Sequence, residues 1–207
     1  MFEDLQGKVV MVTGGATGIG RTAAETFGAL GAKVVVTTGH NIDGAKAVAE
    51  GIREKGGEAS FVQCDVSNEE SVQAAVAFVV STYGRLDCAF NNAGVGADGV
   101  RIPFSSLTET TEEMWDKVVD TNMKGVFFCL KHEILQMKKQ GGGAIVNTAS
   151  IGGIRMAPNF GAYGPSKAAV IALTQQASNE NAKEGIRVNV VCPGPTLGTE
   201  LMKNNLS

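Results

Sequence analysis

The chain has 207 residues, 43% hydrophobic and 19% charged, which suits one soluble globular domain with a substantial core. Its formal net charge of -3 and pI near 5.5, without any block of like charges, exclude the basic footprint of a nucleic-acid binder or a polybasic membrane anchor. The apolar runs are too short to cross a bilayer, the acidic start MFEDLQGKVV is not a secretory signal, and Cys64, Cys88, Cys129 and Cys192 have no metal-ligand spacing; a cytoplasmic, reduced, metal-free chain is expected.

In chain order, β-branched runs at 8–13, 33–38, 59–64, 86–91, 144–148 and 187–192 alternate with helical patterns at 19–30, 43–55, 69–83, 111–140 and 163–184. Most of the short runs are apolar throughout, as expected of parallel strands covered on both faces. Gly31, Gly56, Gly84, Gly141 and Gly185 follow the helical stretches, where a left-handed cap suits glycine. The alternation predicts a doubly wound parallel sheet between two helical layers, a Rossmann fold, in one domain over 1–207.

The first strand runs into Thr13-Gly14-Gly15-Ala16-Thr17-Gly18-Ile19-Gly20 and then a helix. Glycines at such a turn let the backbone approach a pyrophosphate, and the free N–H groups of the helix start favour an anion. A tight turn without a ligand is the plain alternative, and the position between first strand and helix favours the dinucleotide. A dinucleotide fold carries an acid for the ribose hydroxyls, or an arginine for a 2′-phosphate, about twenty residues on. Here the second strand ends Thr37-Thr38-Gly39-His40-Asn41, with neither. Thr38, His40 and Asn41 offer hydrogen bonds to a phosphate or a hydroxyl, Asn41 equally a helix cap, and the missing acid tips the expectation from NAD towards NADP.

Tyr163 and Lys167, four apart at a helix start, share one face, and an ammonium beside a phenol favours the phenolate. Alone, such a pair reads as surface decoration. Asp65-Val66 after the third strand, Asn91-Asn92-Ala93-Gly94 after the fourth, Asn122, Ser150, Tyr163-Gly-Pro-Ser-Lys167 and Pro193-Gly194 follow the glycine loop in order. The ordered set resembles the short-chain dehydrogenase/reductase family across essentially the whole chain.

The resemblance implies an NAD(P)-dependent oxidoreductase interconverting a secondary alcohol and a ketone. By it, Ser150 would bind the substrate oxygen, Tyr163 would be the general acid or base, and Lys167 would lower the tyrosine pKa and hold the nicotinamide ribose. Asn122 would help hold a water linking Lys167 to solvent. Gly14, Thr17, Gly18, Ile19 and Gly20 would cradle the pyrophosphate, and Thr38 and His40 would face the adenosine ribose. Asp65 and Val66 would meet the adenine, while Asn91, Ala93 and Gly94 would line the cofactor ribose. Pro193 and Gly194 would pass beneath the nicotinamide, with Thr196 or Thr199, the former preferred, holding its carboxamide. From the loops at the carboxyl ends of the strands, Val95, Gly152, Met156, Ala157 and Phe160 are expected to face a small-molecule substrate, with ordinary loop packing as the plain alternative. Plain structural roles stay open: a strand-end turn for Ser150, a helix cap for Asp65 and backbone support for Asn122.

The sequence stops soon after the sixth strand, where the family continues through a further helix and a seventh, edge strand; a sheet without that C-terminal strand is expected. The alternatives are a dinucleotide-binding regulator or scaffold without turnover, and a structural subunit that completes its sheet with a partner chain. A homodimer or homotetramer is expected, since the 111–140 and 163–184 helices resemble those that pair in the family.

Overall fold

The computed structural model describes residues 3–98 and 102–196. Six strands, β1 (Val9–Thr13), β2 (Lys33–Thr38), β3 (Glu58–Gln63), β4 (Cys88–Asn91), β5 (Gly143–Thr148) and β6 (Ile186–Val191), form one sheet in the order β3-β2-β1-β4-β5-β6, every pair parallel. The helices are α1 (Gly18–Ala29), α2 (Ile42–Glu54), α3 (Glu69–Tyr83), α4 (Glu112–Val119), α5 (Gly125–Lys139) and α6 (Tyr163–Asn181). The strand order reverses between β1 and β4, where an open α/β sheet leaves a crevice at its carboxyl ends.

Period-2 alternation divides each strand between two cores. Val10, Val12, Val34 and Val36 pack with Ala24 of α1 and with Ala45, Val48 and Ile52 of α2. Met11, Val35, Ala89 and Ile145 face the other way, onto Val72 and Val76 of α3, Val126 and Leu130 of α5 and Val170 of α6. The five glycines after the helical stretches all take positive φ, Gly84 at 82° while its N–H closes α3 onto the Val80 carbonyl.

The expected single helix over 111–140 is α4 and α5 joined by a π-helical segment, Asp120–Lys124. That segment turns the fully buried Asn122 inward. The expected helix to residue 184 loses α geometry at Asn181 and ends in a short 3-10 turn, Ala182–Glu184, closed by Gly185 with φ 69°.

Among the described residues, one ionisable side chain has no exposure at all. Glu133 of α5 is 0% exposed. Its Oε2 accepts 2.9 Å from Asn91 Nδ2, which also donates 3.0 Å to Asn147 Oδ1, while Asn147 Nδ2 donates 2.9 Å to Thr174 Oγ1. This chain of bonds ties the ends of β4 and β5 to α5 and α6. Glu133 Oε1 has no partner, and burial pushes the carboxyl up to about 7 despite the Asn91 bond.

A raised carboxyl pKa means that the folded chain holds its proton longer than the unfolded one. Its share of stability is therefore full below the ordinary carboxylate value and declines as pH rises towards 7, by about 3 kcal/mol in all. Glu133→Gln keeps an acceptor for Asn91 and removes the titration. Thermal melts from pH 5 to 8 should fall with pH in the parent and fall distinctly less in the variant; parallel curves would assign Glu133 no such role.

Candidate active site

The carboxyl ends of β1, β4 and β5 open on one cavity of about 630 Å³. The turn from β1 to α1 forms its floor. Gly14 has φ 62° and Gly18 φ 53°. A Cβ on Gly14 would stand 2.8 Å from Ala93 Cα, and one on Gly20 would stand 2.2 Å from the Gly14 carbonyl oxygen, so loop, helix and β4 end meet backbone to backbone.

Thr13 Oγ1 accepts from the N–H groups of Asn92 and Ala93 at 3.0 and 3.1 Å, and Asn92 Nδ2 donates 3.3 Å to each of the Thr13 and Gly14 carbonyls. Asn41, Asn68 and Thr111 cap α2, α3 and α4 with their side chains, whereas Thr17 makes no such bond at α1. The first N–H groups of α1 thus keep their capacity for an anion.

Above the floor stand the groups of proton chemistry. Ser150, after β5, is 8% exposed and its Oγ accepts 3.0 Å from the Gly152 N–H, which leaves its own proton to donate. Tyr163 opens α6. Lys167, one turn on, is 4% exposed; its Nζ donates 2.8 Å to the Thr148 carbonyl and lies 5.9 Å from the centre of the Tyr163 ring. Asn122 Oδ1 accepts 2.8 Å from the Val95 N–H, and its Nδ2 donates 2.8 Å to the Val95 carbonyl and 3.1 Å to Ser166 Oγ. The side chains of Asn122 and Lys167 converge on Gly94, where a Cβ would come within 3.1 Å of Asn122 Oδ1 and 3.2 Å of Lys167 Nζ.

Burial dominates the electrostatics of the pair. Burial pushes the Tyr163 phenol up, and a hydrogen bond with Ser150 draws it partly back. Burial likewise brings the Lys167 ammonium down, to about 8. With both groups taken from water, desolvation is the largest cause of each shift.

Gly14, Thr17, Gly18, Ile19, Ala93, Gly94, Ser150, Tyr163, Lys167, Pro193, Gly194 and Thr196 line the cavity, as do Val95, Gly152, Met156, Ala157 and Phe160. Gly20, Thr38, His40, Asp65, Val66, Asn91 and Asn122 stand outside its lining. For several the reason is visible. The Asn91 side chain is turned beneath the sheet to Glu133 and Asn147, so of the two asparagines after β4 it is Asn92 that meets the cavity.

Asp65 Oδ1 accepts from both the N–H and hydroxyl of Ser67, and Val66 is buried where Gly125 begins α5. Thr38 Oγ1 accepts from the Asn41 N–H, and Asn41 Oδ1 caps α2 through the Gly44 N–H, while His40 is exposed. Thr199 lies outside the described residues. Sequence reasoning passed over Asn92 and the Thr148 carbonyl; strand alternation carries a signal for the first, and a main-chain acceptor leaves none.

The residues fit a nicotinamide dinucleotide, because the glycine floor is a cradle that a single Cβ would fill and its helix start is uncapped. Residues 8–207 match the short chain dehydrogenase family. An uncharacterized oxidoreductase of Thermotoga maritima is 42% identical over 96% of this chain and 76% of that protein. A 2,5-dichloro-2,5-cyclohexadiene-1,4-diol dehydrogenase of Sphingobium indicum is 41% identical over 93% of this chain and 74% of that one. Among solved structures, NAD+-bound xylitol dehydrogenase superposes with a TM-score of 0.86 at 38% identity, covering 92% of this chain and 71% of its own. The chain belongs to the short-chain dehydrogenase family and is an oxidoreductase of that family, whose members bind NAD(P).

Proposed function

We propose that the chain interconverts a secondary alcohol and a ketone, with NADP preferred over NAD. The observation that carries the reading is the convergence of Ser150, Tyr163 and Lys167 on a cavity whose floor is an uncapped, glycine-built helix start. A bound nicotinamide supplies or takes the hydride. Ser150 holds the substrate oxygen with its hydroxyl proton. Tyr163 gives that oxygen a proton in reduction and removes it in oxidation. Lys167, anchored on Thr148, adds positive charge beside the phenol and binds the nicotinamide ribose, and Asn122 ties the Val95 loop to α6 around a water path from Lys167 to solvent.

Neither an acid nor an arginine follows β2, so nothing there repels a 2′-phosphate, and this supports the NADP preference. Pairing of the chain into a homodimer or homotetramer is supported by Trp115 and Phe127, both exposed on the α4–α5 arm; light scattering should give a mass at least twice the 21.5 kDa of the chain. The test of the activity is a fluorescence titration with NADPH and with NADH, followed by turnover of a ketone panel. Tighter NADPH binding with ketone reduction is expected. Nucleotide binding without turnover of any ketone or alcohol would refute the catalytic reading, and binding of neither nucleotide would refute the reading of the floor.

A further inference from the structure

The part of the cavity away from the glycine floor is built by the segment between β5 and α6, and it has an uneven chemistry. Ile151 and Met156, 47% and 57% exposed, and Leu107, 69% exposed, turn apolar surface to the cavity. Phe160 lies tilted against Tyr163 at 6.2 Å and meets Phe104, behind it, edge to face at 5.6 Å, so the aromatic wall beside the reacting phenol is backed by a second ring. Among the described lining residues there is no aspartate, glutamate or histidine, and only Lys167 and Arg155 are charged.

The two cations are in different situations. Lys167 is buried and bonded to Thr148. Arg155 is exposed, and its guanidinium makes no hydrogen bond or ion pair with any other described residue. Its backbone is nevertheless fixed. The Arg155 N–H donates 2.7 Å to the Ile151 carbonyl, closing the turn that starts at Ser150. That turn presses on α6, for a Cβ on Gly153 would stand 2.7 Å from the Lys167 carbonyl carbon. It also flanks the reacting groups, since a Cβ on Gly152 would lie 3.4 Å from both Ser150 Oγ and Tyr163 Cε1.

An arginine carried one turn from the reacting serine, amid apolar side chains and without an acid among the described residues to pair with, is suited to receive an anion. The anion is not the cofactor's pyrophosphate, whose cradle lies at the end of β1, two strands away from β5, or about 10 Å across the sheet. A planar guanidinium matches a carboxylate with two parallel hydrogen bonds, and apolar neighbours strengthen such a pair by lowering the local dielectric.

We propose that the substrate is an amphipathic ketone or its alcohol, with an apolar body along the Phe160–Met156 wall and a carboxylate received by Arg155. This rests on the reading above that the reacting oxygen lies against Ser150 and Tyr163.

The test uses levulinate and para-acetylbenzoate, each against its methyl ester, with the NADPH-loaded chain. Calorimetry reads binding and steady-state kinetics read reduction. Each acid should bind and react better than its ester. Arg155→Gln should lower kcat/KM for the acids by about 10- to 100-fold, chiefly through KM, and leave the esters and NADPH affinity unchanged. Arg155→Lys should restore part of the loss. Acids that bind no better than esters, or an Arg155→Gln effect equal on both, would overturn the proposal even where the esters are reduced. Arginine-dependent binding of the acids without reduction would uphold it and count instead against the catalytic reading.

Discussion

Tyr163→Phe should lower ketone reduction by about 10²- to 10⁴-fold while nucleotide affinity stays within a few-fold of the parent. The substitution removes one oxygen. The ring remains against Phe160 and within reach of Lys167, so packing of the cavity wall is kept. What is lost is the only phenol in the cavity's described lining; Ser150 is an ordinary hydroxyl, and the Lys167 ammonium, the more acidic group, is held on the Thr148 carbonyl. Steady-state turnover with the best ketone of the panel, beside a fluorescence titration with NADPH, reads both halves of the expectation. Turnover within tenfold of the parent would mean that the proton comes from another group and that the catalytic reading is wrong.

Gly20→Ala should weaken NADPH binding by about 10- to 100-fold, the order expected when one hydrogen bond to a charged phosphate is lost. The added methyl would sit 2.2 Å from the Gly14 oxygen and 2.6 Å from Asn92 Nδ2. The nearer neighbour is backbone and has no rotamer to change, so the loop itself must move away from α1. Gly51→Ala is the control. It lies in α2 with nothing within 4 Å of a Cβ, and should stabilise the helix by up to about 1 kcal/mol without touching affinity. The same titration with a thermal melt on each variant decides the matter. Unchanged affinity in Gly20→Ala would remove the glycine floor from the cofactor site.

The uneven legibility of this molecule has physical causes. Apolar runs such as Lys33–Thr38 and the glycines after each helix are local signals, so sheet, handover points and glycine loop could be read directly. Adjacent identical residues could not be told apart so easily. Asn91 shares its strand face with Ala89 and turns to the core, and only alternation shows that Asn92 meets the cavity.

Glu133 reads as one charge in the polar stretch KHEILQMKK. Yet it occupies the same helical stripe as Val126, Cys129, Leu130 and Met137, and that spacing was the available sign of its burial. The segment 151–160 has no periodicity to read, and the lack of a partner for Arg155 is a three-dimensional fact. The burial that raises the Tyr163 phenol is likewise invisible in a sequence, which displays neighbouring charge but not desolvation.

The π segment at Asp120–Lys124 has a consequence for the phase of everything after it. Val118 and Met137 both point into the core, at 2% and 0% exposure. They are separated by one residue more than the roughly 18 that make five α-helical turns. An uninterrupted α-helix would leave these two ends out of step by about 100°. The wide turn absorbs that surplus residue and works as a vernier between the two core-facing ends. A straight α-helix at this place would be more regular, yet it would turn one of those ends away from the core.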